Sequence, residues 1–288
     1  MLDFPAKVLL FGEYTILNGS KALALPYPAL QGRWSFESQD SEGRELSRES
    51  LARFLKEHKS STIDWHHLTQ DFEKGLWFDS SIPHGFGLGS SGAFIAALYE
   101  RYGNNSLSHD EIRDGLARLE DFFHGSSSGI DPFVSYINKP LLIHSFKEVE
   151  ILERKLDLKG FFLLNTGKAR QTAPLVKTYQ EKLKDPEFKK GCADILSRDV
   201  NLAIEGIIAE KNENTFHHMW HISKFQWDFF PEMIPTNMRG LWTKGLESGE
   251  YALKLCGAGG GGFLLGYSGK MSSGEIEETC REFEVRFL

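Results

Sequence analysis

Glu120 and Asp131 stand eleven residues apart. Glu120 lies near the edge of a helical apolar stripe. Asp131 follows in the small-residue run His124-Gly125-Ser126-Ser127-Ser128-Gly129-Ile130-Asp131-Pro132. Two carboxylates brought to one place suit a division of labour. One holds a divalent cation through hard oxygen ligands, and the other accepts the proton of a reacting hydroxyl. On its own, Asp131 reads equally well as a cap ahead of Pro132.

The strongest local pattern is Pro83-His84-Gly85-Phe86-Gly87-Leu88-Gly89-Ser90-Ser91-Gly92-Ala93. Alternating glycines allow close backbone approach to a ligand and positive φ. A helix opening directly after them aims its unpaired N–H groups and positive dipole end at an anion. The expected ligand is a phosphate chain, and a serine hydroxyl of the first turn can reach Mg²⁺. Pro83, Gly85, Gly87, Leu88, Gly89, Ser90, Ser91 and Gly92 are therefore the cofactor-binding candidates. No Gly-Lys-Ser/Thr closes the loop, so it is not a Walker P-loop. Its G-x-G-x-G spacing, with no βαβ unit at the start of the chain, is not a Rossmann fingerprint.

Two further segments carry candidate chemistry. Pro5 to Tyr14 sets Lys7 and Glu13 at the two ends of an apolar stretch. Lys254-Leu255-Cys256-Gly257-Ala258-Gly259-Gly260-Gly261-Gly262-Phe263 places five glycines in six positions. That is a poor choice for stability and a good one for close approach to a ligand or another loop. His217 and His221 have zinc-compatible helical spacing, but no H-E-x-x-H arrangement surrounds them. With His218, they read as ordinary helix residues.

The elements that position these residues are mixed. Lys7 to Leu17 predicts a strand ended by the Asn18-Gly19 turn, and Ala22 to Phe36 predicts another. Glu37 to Arg44 reads as a polar loop before a surface helix over Leu46 to Glu57, and Leu76 to Ile82 is strand-like. Gly89 to Tyr102 predicts a helix. So does Ser108 to Phe123, where Ser108 and Glu111 form a capping box and Ile112, Leu116, Leu119 and Phe123 share a stripe. Short strands follow near Leu141 to His144 and Gly160 to Leu164, and helices dominate from Thr172 to about Leu246. Strands at Tyr251 to Cys256 and Gly262 to Gly266 flank the second glycine run, and Phe283 to Phe287 alternates as a last strand. The charged interval Lys147 to Leu158 is the expected border between domains 1–155 and 156–288.

A chain of 288 residues, 41% apolar and 25% charged, fits a soluble globular protein of two domains. A net charge of −7 argues against nucleic-acid or anionic-membrane surfaces. Three cysteines without C-x-x-C spacing argue against a disulfide framework. With no signal peptide and no run of about 18 apolar residues, the expected location is the cytoplasm.

In this order, these segments resemble the GHMP kinase family (galactokinase, homoserine kinase, mevalonate kinase and phosphomevalonate kinase), and the resemblance spans nearly the whole chain. Pro83 to Ser91 is similar to the family's P-x-G-x-G-L-G-S-S pattern, with the Lys254 to Gly262 run as a second motif. Within the family the chain looks most like the mevalonate kinases. The likeness rests on Lys7 to Glu13, on His124-Gly125 with Ser128 to Asp131, and on Thr166-Gly167 with Arg170 and Thr172. Tyr14 stands where those enzymes usually have histidine, Ser127 replaces a frequent proline, and the chain is short for the family.

The resemblance implies an α+β fold, with an N-terminal domain like ribosomal protein S5 domain 2, a ferredoxin-like C-terminal domain and the active site in the cleft between them. It implies ATP and Mg²⁺ as cofactors and a small alcohol as substrate, mevalonate going to 5-phosphomevalonate in isoprenoid synthesis. Gly85 to Ser91 would hold the β- and γ-phosphates. Ser91 and Glu120 would hold Mg²⁺, with Ser90 as the alternative serine. Asp131 would take the hydroxyl proton, kept ionised by Lys7 beside it. Glu13, Tyr14, Arg170 and Thr172 fall on the substrate side. The Gly257 to Gly262 loop would brace the phosphate loop or border the substrate, with Gly259 and Gly260 as its substrate-side candidates. A monomer or homodimer is expected. The rival expectations are a galactokinase-like kinase of a sugar or other alcohol, a decarboxylase that phosphorylates transiently, and a non-catalytic ligand-binding member.

Overall fold

The computed structural model describes residues 2–36, 42–57, 62–145, 147–170, 172–211 and 214–288. The fold is α+β. The chain forms two compact units, each assembled from separate segments. The first takes Met1–Val8, Leu25–Pro83 and Leu88–Lys139, and the second takes Leu9–Ala24, His84–Gly87 and Pro140–Leu288. Strands β1 (Phe4–Phe11) and β2 (Ala22–Ser35) run through both. With β3 (Trp77–Ser80), β4 (Leu141–Ser145) and β5 (Glu148–Ile151), they form a five-stranded sheet of order β1-β2-β4-β5, with β3 paired to β2.

In the first unit, β3 runs antiparallel to β2, with Gly32 opposite Ser80 and Ser35 opposite Trp77. Among the described residues, five helices follow the chain: α1 (Glu42–Glu57), α2 (Trp65–Glu73), α3 (Ser90–Tyr102), α4 (His109–His124) and α5 (Ile130–Ile137). The sequence of α3 is apolar on nearly every side, and a helix of that kind must be surrounded. Gly92 through Tyr99 are accordingly all buried. Trp34, Phe54 and Phe78 meet Phe94 of α3 edge-on, at centroid distances of 5.7, 6.2 and 5.6 Å, a favoured aromatic geometry. The capping box expected of Ser108 and Glu111 opens α4.

The second unit holds a four-stranded antiparallel sheet of order β7-β8-β6-β9, from β6 (Phe161–Asn165), β7 (Ala252–Leu255), β8 (Phe263–Tyr267) and β9 (Val285–Phe287). Its helices are α6 (Thr172–Lys182), α7 (Pro186–Gly191), a π-helical segment over Cys192–Ser197, α8 (Arg198–Ile208), α9 (Thr215–Phe229), α10 (Arg239–Ser248) and α11 (Ser273–Thr279). Strands β7 and β8 are buried throughout. Cys192, Cys256 and Cys280 are buried and in no disulfide. Among the described residues, no helix is long and apolar enough to cross a membrane.

Several boundaries differ from expectation. The first strand stops at Phe11 rather than Leu17, because Gly12 (φ 104) and Tyr14 (φ 63) turn the backbone into a 3₁₀ turn over Thr15–Asn18. An apolar run does not disclose such a turn. Helix α1 begins at Glu42, inside the expected loop, whose residues 37–41 lie outside the described set. Helix α2 was not expected, although Asp64 caps it by accepting from the His67 N–H at 3.0 Å. The charged interval 147–158 contains β5, paired with β4.

Candidate active site

The glycine-serine loop ends where α3 begins. Gly89 sits at the N-cap with φ 72, and no side chain caps the helix. Ser90 and Ser91 occupy the first turn, where N–H groups lack intrahelical acceptors. Three contacts fix Lys7 beside this turn. Its N–H donates to Leu88 O at 2.8 Å, Ser135 of α5 donates to Pro5 O at 2.7 Å, and its Nζ lies 2.8 Å from Asp131 Oδ2. Gly92 permits the close approach of α3 and α5, since a Cβ there would stand 2.9 Å from the Asp131 carbonyl carbon and Pro132 N. Gly129 caps α5 in the left-handed conformation and sets Asp131 in its first turn.

Glu120, buried on α4, completes this set. Ser91 Oγ donates to its Oε1 at 3.4 Å and Ser127 Oγ to its Oε2 at 2.5 Å. Burial, followed by the negative charge of Asp131, pushes the Glu120 carboxyl up to about 7 from an ordinary 4.5; Ser127, Lys7 and Ser91 oppose that rise. A carboxyl so placed gains from a cation. Among the described residues, no group of three or more His, Cys, Asp or Glu could hold a metal ion. Mg²⁺ bound through one carboxylate, a hydroxyl and nucleotide phosphates needs none. The oxygen donors of Glu120 and Ser91 fit that ion.

The Glu120 shift has a consequence for stability. The folded protein retains this proton at pH values where the unfolded chain has released it, so stability falls as pH rises from about 4.5 to about 7. Glu120→Gln removes this dependence. In metal-free urea titrations at pH 5 and pH 8, wild type should lose on the order of 3 kcal/mol more than the variant. Equal losses would mean that the carboxyl is not shifted.

The second unit holds the other group of expected residues. Lys254, fully buried, places Nζ 2.5 Å from Glu13 Oε1 and donates to Leu255 O (2.7 Å) and Leu10 O (3.1 Å). Gln226 Nε2 donates to the same Glu13 oxygen at 3.1 Å, and its Oε1 accepts from the Leu255 N–H at 2.8 Å. Glu13 Oε2 is buried with no partner, and burial raises the carboxyl despite Lys254. The Tyr14 ring packs on Tyr179 and Phe230, with centroids at 4.6 and 5.6 Å, and its hydroxyl donates to Ala258 O at 2.6 Å. The backbone N–H of Arg170 donates to Gly85 O at 2.9 Å, and its Nη1 donates to Cys256 O at 2.6 Å. Thr172 is the first residue of α6. Gly259 and Gly260 lie against Met233, whose carbonyl accepts from the Gly260 N–H at 2.6 Å.

Sequence reasoning gave Lys254 no role and overlooked Gln226. A signal existed for Gln226, which falls four residues after Ile222 on the buried stripe of Met219, Ile222 and Phe225. The histidines serve a different purpose. His218 Nδ1 and His221 Nδ1 lie 2.8 and 3.4 Å from Oδ1 of the buried Asp199, joining α9 to α8.

Residues 44–139 match the family "GHMP kinases N terminal domain". The mevalonate kinase of Thermococcus sibiricus is 27% identical over 301 residues, covering 90% of this chain and 86% of that protein. The mevalonate kinase of Archaeoglobus fulgidus is 27% identical over 284 residues, covering 94% of each. Among solved structures, L. major mevalonate kinase in complex with R-mevalonate aligns with a TM-score of 0.69 at 17% identity, covering 97% of this chain and 89% of that one. The carboxylate–lysine set, glycine-serine loop and fold of this chain agree with these likenesses: residues 44–139 resemble the N-terminal domain of GHMP kinases, and the chain as a whole is similar to mevalonate kinases.

Proposed function

We infer that this protein is an ATP-dependent kinase that phosphorylates mevalonate to 5-phosphomevalonate. One observation carries the reading. Lys7, Ser91, Glu120 and Asp131 meet at the mouth of an uncapped helix, in a chain similar to mevalonate kinases over nine-tenths of its length. A module that only bound a ligand would have no need of all four.

Bound MgATP supplies the phosphoryl group and the cation that neutralises phosphate charge. Glu120 and Ser91 would hold the cation, and the first turn of α3 would present its N–H groups to the phosphates. Asp131 accepts the proton of the attacking hydroxyl, and Lys7, 2.8 Å away, holds that carboxylate in place. Mevalonate carries a carboxylate, which suits the Arg170 guanidinium. Glu13 and Thr172 remain on the acceptor side. We place the enzyme in the cytoplasm as a monomer or homodimer.

The test is an ADP-release assay with MgATP against mevalonate, phosphomevalonate, galactose and homoserine. Turnover on mevalonate alone is expected. Turnover on galactose would keep the chemistry and change the substrate. Silence on all four with ATP still bound would point to a non-catalytic binder.

A further inference from the structure

Arg170 lies in a slot with glycine on two sides. Its Nη1 is fixed on Cys256 O, and its Nε is buried without a hydrogen-bond partner. A Cβ on Gly87 would overlap Nη2 and Cζ and stand 2.9 Å from Nε. A Cβ on Gly257 would stand 2.5 Å from Nη2, 2.9 Å from Nη1 and 3.1 Å from Cζ. Carbon and nitrogen do not approach that closely without a bond, so the guanidinium can lie where it does only if both positions lack a side chain.

We propose that Gly87 and Gly257 are positioning residues for the acceptor: they wall the slot that seats Arg170 and aim its remaining donors at an anionic group of the substrate, a carboxylate. The inference rests on the kinase reading above and extends it. It gives Gly87, at the centre of the glycine-serine loop, a duty toward the acceptor rather than the nucleotide. The guanidinium is the flexible end of its side chain, so a methyl at either glycine displaces Arg170 rather than unfolding the protein. An alanine at φ 77 or φ 84 also carries backbone strain of its own. Single variants therefore do not separate the two effects, and a double-mutant cycle does.

The experiment compares Gly87→Ala, Gly257→Ala and Arg170→Ala with the doubles Gly87→Ala/Arg170→Ala and Gly257→Ala/Arg170→Ala, reading KM for mevalonate and for ATP separately. Each single change should raise the mevalonate KM roughly tenfold or more, as loss of a charge-assisted contact does, with a smaller change for ATP. In the Arg170→Ala background, either glycine change should add less than about twofold, because its target is gone. Effects that multiply in full, or a Gly87→Ala penalty confined to ATP, would overturn the proposal while leaving the kinase reading intact. If wild type does not use mevalonate, that reading falls and the slot is judged from crystal structures of wild type and Gly87→Ala. Arg170 leaving Cys256 O in the variant supports the slot, and an unmoved guanidinium overturns it.

Discussion

Asp131→Asn lowers kcat by about 10²-fold or more while the KM for ATP stays within about twofold. The substitution keeps size and shape at the second residue of α5 and removes only the ability to take up a proton. The Asp131 side chain is 41% exposed, so the fold does not rest on it. The nucleotide contacts argued above belong to the first turn of α3 and to Glu120, not to Asp131. An interaction needed only as the hydroxyl attacks should lower kcat and kcat/KM together. Steady-state kinetics on a variant with wild-type circular dichroism decides the matter. Turnover near that of wild type would remove Asp131 from the proton-accepting role and leave Lys7 without a catalytic partner.

Lys254→Met should cost about 3–5 kcal/mol of folding stability, because it strands a buried carboxylate. Lys254 Nζ reaches three oxygens, and without it Glu13 keeps only the Gln226 amide on Oε1 and nothing on Oε2. The Glu13 carboxyl, already raised by burial, rises further in the variant. The variant should therefore recover stability as pH falls and the carboxyl takes up a proton. Lys254→Met/Glu13→Gln should recover much of the loss at pH 8, since the buried charge is then absent. Urea titrations at pH 5 and pH 8 measure both effects. A Lys254→Met variant as stable as wild type at pH 8 would show that this ion pair does not anchor the 12–15 turn.

Residue type and spacing made much of the first unit legible. Ser108 and Glu111 announce the start of α4, Glu120 and Asp131 flank its end, and the glycine-serine loop marks the start of α3. Local signals suffice there because the residues that act together are held by neighbouring helices. The second unit resists the same approach. Glu13 and Lys254 meet only through the tertiary fold, and a lysine between apolar residues in a strand gives no hint of its partner. Tyr14 fell on the substrate side from its neighbours in sequence, yet its ring is enclosed by Tyr179 and Phe230, brought from α6 and the end of α9. The short helix α11 opens on a capping box of Ser272 and Glu275, a local signal of the same kind as that of α4. The end of β1 depended on backbone conformation at Gly12 and Tyr14, to which hydropathy is blind.

The three cysteines bear on how this protein can be labelled for observation. All are buried, and burial pushes the thiols of Cys192 and Cys280 up to about 11. The native protein therefore offers thiol-seeking dyes little access to any of the three, and very little thiolate at Cys192 and Cys280 at neutral pH. A cysteine introduced at an exposed position such as Leu2 or Leu46 would be the one a maleimide fluorophore finds, without first stripping the natural ones. Distance probes for single-molecule fluorescence can be placed on the wild-type background.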